Sequence, residues 1–104
     1  MSITTHVLDT AQGRPASGVP IELEIREGKS WRKLGQGETD SDGRLGTLLP
    51  GELLAGTYRL RFDTRGHSPF FPEIAIVFVV HEAGGHYHVP LLLSPYSYST
   101  YRGR

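Results

Sequence analysis

Residues 19–26 read VPIELEIR, and their apolar side chains fall on every second position: Val19, Ile21, Leu23 and Ile25 alternate with Glu22, Glu24 and Arg26. Successive side chains of a strand point to opposite faces, so a period of two predicts a strand with one face buried and the other in water. TYRLRFD, residues 57–63, repeats the pattern, with Tyr58, Leu60 and Phe62 predicted inward and Arg59, Arg61 and Asp63 outward. Two half-buried strands need a second layer to cover them.

Further strands are predicted at ITTHVLDT (3–10), SWRKLGQGE (30–38), GRLGTLL (43–49), HYHVPLLL (86–93) and PYSYSTY (95–101). The segment PEIAIVFVV (72–80) stands apart. There Ile74, Ile76, Phe78 and Val80 alternate with Ala75, Val77 and Val79, all apolar. Such a strand is predicted to be covered on both faces, by its own core on one and with another subunit as the candidate cover for the other. Nothing has the period of an ordinary helix, and 13 Gly and 7 Pro interrupt the chain at short intervals. The expected class is all-β: about seven or eight strands in two sheets packed face to face. One domain spanning 1–104 is expected.

A chain of 104 residues is long enough for a core without staples, and it has no cysteine. Disulfides, thiolate metal sites and cysteine nucleophiles are thereby excluded. Eleven Lys plus Arg balance eleven Asp plus Glu. Zero formal charge argues against nucleic acid as a partner and leaves little repulsion to oppose self-association. MSITTHVLDT shows no basic segment followed by an apolar run, and no stretch approaches the roughly 20 apolar residues of a membrane span. A soluble, cytoplasmic protein without a membrane partner is expected.

The candidate chemistry begins with five histidines: His6, His67, His81, His86 and His88. In HYHVPLLL, His86 and His88 share a face and stand about 6 to 7 Å apart at strand rise. The pair suits a metal or acid–base work, and equally suits hydrogen-bonded structural histidines. A metal site would want a third ligand, for which His6 qualifies if the fold brings it close. Arg44 follows the Asp42-Gly43 turn, either as a solvated hairpin charge or as a rigid guanidinium for a planar anionic ligand. No nucleophile elbow, phosphate-binding glycine loop or zinc-protease motif is present. The chemistry left to an enzyme is water activated by histidine, with arginine stabilising negative charge.

TTHVLDTAQGRPA, TDSDGR, FFPEIAIVF and HYHVPLLLSPYSYSTYRG together resemble the transthyretin-related 5-hydroxyisourate hydrolases, over nearly the whole chain. The resemblance implies a transthyretin-like (prealbumin-like) sandwich of two four-stranded sheets. It implies a homotetramer, a dimer of dimers with active sites at the dimer–dimer interface. It also implies hydrolysis of 5-hydroxyisourate to 2-oxo-4-hydroxy-4-carboxy-5-ureidoimidazoline in urate breakdown, with no metal and no organic cofactor. Carried over by motif, the catalytic residues fall on His6, Arg44 and His88, and His86 is a less certain participant. The family's C-terminal tetrapeptide falls on Tyr101, Arg102, Gly103 and Arg104, expected to bind substrate.

Two departures stand out. Arg104 replaces the family's serine, and DTRGHSPF (63–70) is shorter than the family segment that holds a short helix, so no helix is expected there. Transthyretin, a carrier of the same fold, is the alternative, set apart by His6, His88 and the Tyr-Arg-Gly ending.

Overall fold

The computed structural model describes residues 2–103. In chain order the strands are β1 (Ser2–Asp9), β2 (Arg14–Pro15), β3 (Pro20–Glu27), β4 (Ser30–Glu38), β5 (Arg44–Leu45), β6 (Gly56–Asp63), β7 (Glu73–Val80), β8 (His86–His88), β9 (Leu91–Leu93) and β10 (Tyr98–Thr100).

One sheet is wholly antiparallel, in the order β4-β3-β6-β7. The second is built around β1. On one side β8 and β9 run parallel to it, with β10 antiparallel beyond β9, and on the other side β5 and β2 pair antiparallel along its length. β8 and β9 keep a single register against β1, from Ser2 opposite His86 to Leu8 opposite Leu92. They are one strand interrupted at Val89-Pro90, because proline has no N–H to give to a ladder. The gap is bridged by Val89 N–H donating to the Thr4 carbonyl (2.9 Å) and by the Thr5 hydroxyl donating to the Val89 carbonyl (2.6 Å). With β5 and β2 sharing one edge, each sheet has four strand positions, as expected.

The core lies between the sheets. Val19, Ile21, Leu23, Tyr58, Leu60, Phe62 and Ile74 meet Ile3, Val7, Leu91 and Leu93, all buried. The VPIELEIR alternation holds through Leu23. There a bulge between Leu23 and Glu24 shifts the register, and Glu24, predicted in water, is buried. Its carboxylate accepts from Arg59 Nε at 2.6 Å, and the Arg59 guanidinium in turn stacks on Trp31, 4.4 Å from the ring centroid. A charged pair under an aromatic lid satisfies the buried carboxylate.

The predicted strand 43–49 shortens to Arg44–Leu45. After Leu45 the chain leaves β1 and crosses to the other sheet, where Leu48 is buried. The crossing passes so close to Gly35 that a Cβ there would lie 1.9 Å from the Leu48 carbonyl oxygen. β7 buries Ile74, Ile76 and Val80, while Val77 and Val79 on its other face are 54% and 48% exposed in the single chain.

Residues 63–70 form no helix, as expected. The chain turns there with His67 and Ser68 N–H groups donating to the Thr64 carbonyl at 3.0 and 2.9 Å. No helix among the described residues is long and apolar enough to cross a membrane.

Candidate active site

Alternation along β1 sends Ile3, Thr5, Val7 and Asp9 into the core and leaves Ser2, Thr4, His6 and Leu8 on the outer face. Register then decides which side chains join them. His6 pairs with Arg44 of β5, Thr4 with His88 of β8, and Ser2 with His86. Paired residues share a face. The outer face of this sheet therefore carries Arg44, His6, Thr4 and His88 side by side, drawn from three strands far apart in sequence.

The turn between β4 and β5 holds His6. The ring Nε2 lies 2.8 Å from the Asp42 carbonyl oxygen. A carbonyl only accepts, so Nε2 carries the proton and the lone pair of the neutral ring sits at Nδ1. Gly43 closes the turn at φ 76°, and its carbonyl accepts from Val7 N–H at 2.8 Å, locking the turn onto β1. A Cβ at Gly43 would come within 2.5 Å of the Val7 carbonyl oxygen. Both backbone conformation and space therefore select glycine here.

His88 is half-buried, with Nδ1 2.7 Å from the Thr4 hydroxyl. Burial lowers its pKa from the ordinary 6.5, and the positive charge of Arg44, then of His6 and His86, lowers it further. Each of these favours the uncharged ring. At neutral pH, then, His88 is a neutral imidazole whose Nε2 is free of the threonine. Gly103 forms an antiparallel bridge to it, its N–H donating to the His88 carbonyl at 2.7 Å. A Cβ at Gly103 would sit 2.6 Å from the His88 ring carbon Cδ2. The tail thus packs closely against the imidazole.

The predicted residues separate into two groups. His6, Arg44, His88 and the Gly103 backbone meet on one face. Arg102 is turned away from them: its guanidinium lies 4.3 Å from the ring centroid of Tyr87, a buried residue on the opposite side of its strand from His86 and His88. Tyr101 is exposed and, with Arg102, lines an apolar groove beside Val77 and Val79. Arg104 lies outside the described residues. His86 is exposed and bonded through Nδ1 to the Ser2 hydroxyl, while His67 lies near Asp9 at the far end of β1, with Nδ1 3.6 Å from Oδ2. Among the described residues no three His, Cys, Asp or Glu side chains converge to hold a metal ion, and His6, His86 and His88 each turn one ring nitrogen to a protein oxygen instead.

Nothing in the sequence marks Thr4 or the Asp42 carbonyl as part of the site. Thr4 stands two residues before His6, and only the register of β1 against β8 shows that it serves His88.

The sequence profile described as HIUase/Transthyretin matches residues 3–103. The 5-hydroxyisourate hydrolase of Mus musculus is 46% identical over 110 residues, covering 97% of this chain and 93% of that protein. A uric acid degradation bifunctional protein of Arabidopsis thaliana is 48% identical over 118 residues; the match covers 97% of this chain and 36% of that longer protein. Among solved structures, Klebsiella pneumoniae 5-hydroxyisourate hydrolase superposes with a TM-score of 0.85 at 35% identity, each chain wholly covered. Sea bream transthyretin in complex with thyroxine gives 0.86 at 33% identity, with 97% of this chain and 93% of that one covered. Matched in profile, sequence and fold over nearly its whole length, the chain belongs to the HIUase/Transthyretin family.

Proposed function

We propose that this protein hydrolyses 5-hydroxyisourate, using His6, His88 and Arg44 as its catalytic residues. One observation carries the reading: two imidazoles, His6 with its lone pair held at Nδ1 and His88 held neutral, share an open face with an exposed arginine. Two imidazoles, one of them held neutral, beside a fixed cation suit addition of water to a carbonyl. Relatives of this length named for that activity support the substrate.

In this mechanism one of the two imidazoles takes a proton as the water oxygen bonds to the ring carbonyl carbon. Arg44 stabilises the negative charge on the carbonyl oxygen. Collapse of the tetrahedral intermediate breaks the carbon–nitrogen bond and opens the ring, and the protonated imidazole returns its proton to the leaving nitrogen. No step calls on a metal or organic cofactor. Gly103 holds His88 in place, while Tyr101 lies with Arg102 in the groove beside β7. Arg102 acts through the tail, which its stacking on Tyr87 anchors.

The open face is to be closed by another copy of the chain, in a homotetramer whose dimer–dimer interface forms the sites; a cytoplasmic location is part of the same proposal. The uncovered apolar row of β7 and the zero net charge favour assembly.

Decay of freshly generated 5-hydroxyisourate, followed by ultraviolet absorbance, tests the activity. We expect rapid decay with the wild-type chain and rates reduced about 10²- to 10⁴-fold in His6→Ala and in His88→Ala. Wild-type protein that leaves the spontaneous rate unchanged would point to a carrier, the reading favoured by the likeness to a thyroxine-bound transthyretin.

A further inference from the structure

A neutral imidazole is basic at one nitrogen only, and the choice is made by whatever the other nitrogen bonds. For His6 that partner is the Asp42 carbonyl, 2.8 Å from Nε2. A main-chain carbonyl has no side chain of its own to aim it, so its direction is set by the turn.

The turn is organised by Asp40. A single carboxylate oxygen, Oδ1, accepts both the Asp42 N–H (2.8 Å) and the Arg44 N–H (3.0 Å). The Asp40 main chain closes the same loop, its N–H donating to the Arg44 carbonyl and its carbonyl accepting from Gly43 N–H, each at 2.9 Å. Those N–H bonds, from Arg44 first and Asp42 second, hold the Asp40 carboxyl below the usual carboxylate range against an opposing effect of burial, and the charges of Arg44 and then His6 lower it further. The carboxylate is therefore ionised at neutral pH and available as an acceptor. Its side chain is exposed and fills no core space. What it does is hold the Ser41–Asp42 and Gly43–Arg44 peptides, which flank the Asp42–Gly43 peptide carrying the Asp42 oxygen; the N–H of that middle peptide is bonded to the Asp40 main-chain carbonyl.

We infer that Asp40 is a positioning residue for the reaction: by bonding the Asp42 and Arg44 N–H groups it aims the Asp42 carbonyl at His6 Nε2, which keeps the His6 proton there and the basic lone pair at Nδ1. The inference rests on the hydrolase reading for its catalytic meaning, and on the hydrogen bonds alone for its structural content.

The test uses the full chain, as wild type, Asp40→Asn and Asp40→Ala. Ring nitrogen shifts of His6 are read at about pH 8, where ordinary imidazoles are neutral; the signals are assigned by their loss in His6→Gln. Turnover is read by the ultraviolet assay. Wild type is expected to show the proton on Nε2. Asp40→Asn keeps an oxygen able to accept the same two N–H groups, so its tautomer is unchanged and kcat stays within about threefold. Asp40→Ala leaves both donors unpaired, so His6 becomes a mixture of tautomers and kcat falls between about tenfold and a hundredfold.

A wild-type His6 protonated on Nδ1 overturns the inference. So does Asp40→Ala with the wild-type tautomer and kcat, or Asp40→Asn as impaired as Asp40→Ala in both readouts. The wild-type spectrum needs no variant, so the inference can be refuted even if Asp40→Ala fails to fold. If no chain turns over substrate while the nitrogen shifts follow the expected pattern, the hydrolase reading fails and the positioning of His6 by Asp40 stands.

Discussion

His88 is acted on in two different ways, by charge and by contact. Burial and the charges of Arg44, His6 and His86 all disfavour its protonation. The folded pKa lies below the unfolded 6.5, so the native state binds fewer protons between those two values. Stability from this ring is then fully present above about 6.5 and falls as pH drops through that window to the folded pKa. For catalysis by His88, the acid limb of kcat/KM should bend at a pH below 6.5. Arg44→Ala, besides weakening turnover, should move that limb upward only in part, since burial is the larger cause. Proton-detected titration of the His88 ring and the pH–rate profile check both. Gly103 acts by contact alone. In Gly103→Ala the added methyl meets the His88 ring carbon at 2.6 Å, so ring or tail must shift. Activity should drop about tenfold or more, with a melting temperature close to wild type. His6, His88 and Arg44 were legible as residue types in recognisable motifs. Thr4 and Asp42 were not, because their bonds to His88 and His6 span sequence separations of 84 and 36 residues.

At the scale of elements, β1 bears the heaviest duty, since every other strand of its sheet except β10 pairs with it. Thr5 repairs the proline gap in its neighbour by donating to the Val89 carbonyl from a buried position. Thr5→Val keeps the shape and loses the donor. It should cost about 1–3 kcal/mol in denaturant unfolding, with activity falling as β8 loosens. Gly35→Ala should be worse, because its methyl would strike the main chain of the crossing segment at Leu48, not a yielding side chain. A fall in melting temperature with loss of soluble protein is expected. Period-two patterning made β3, β6 and β7 plain, since each turns one face of mostly buried apolar residues to the core. The same rule overextended β5, because Leu48 and Leu49 look like strand residues while serving the crossing to the other sheet. Nor does any periodicity foretell a bulge at Leu23/Glu24, which comes from pairing with β4.

For the whole molecule, the outer row of β7 is the clearest sign of unfinished burial. Val77 and Val79 stand together on one strand with Ala75 beside them. A charge placed in that row should disfavour any copy that covers it. Val77→Glu and Val79→Glu are expected to sediment as smaller species than wild type, and to lose activity together with assembly, because the proposed catalytic face is open in the single chain. Sedimentation velocity across a range of concentrations checks this.

The register that sets Ser2 against His86 has a consequence in time as well as in space. The antiparallel sheet β4-β3-β6-β7 is complete by Val80, before β8 has left the ribosome. β1, the first strand made, has to wait for nearly the last, and contacts this distant in sequence form slowly. The face bearing His6 and His88 is thus joined late. A nascent chain can own half its sandwich while His88 is still missing from its chemistry, and the edge of β1 that receives β8 and β9 stays open for most of its synthesis.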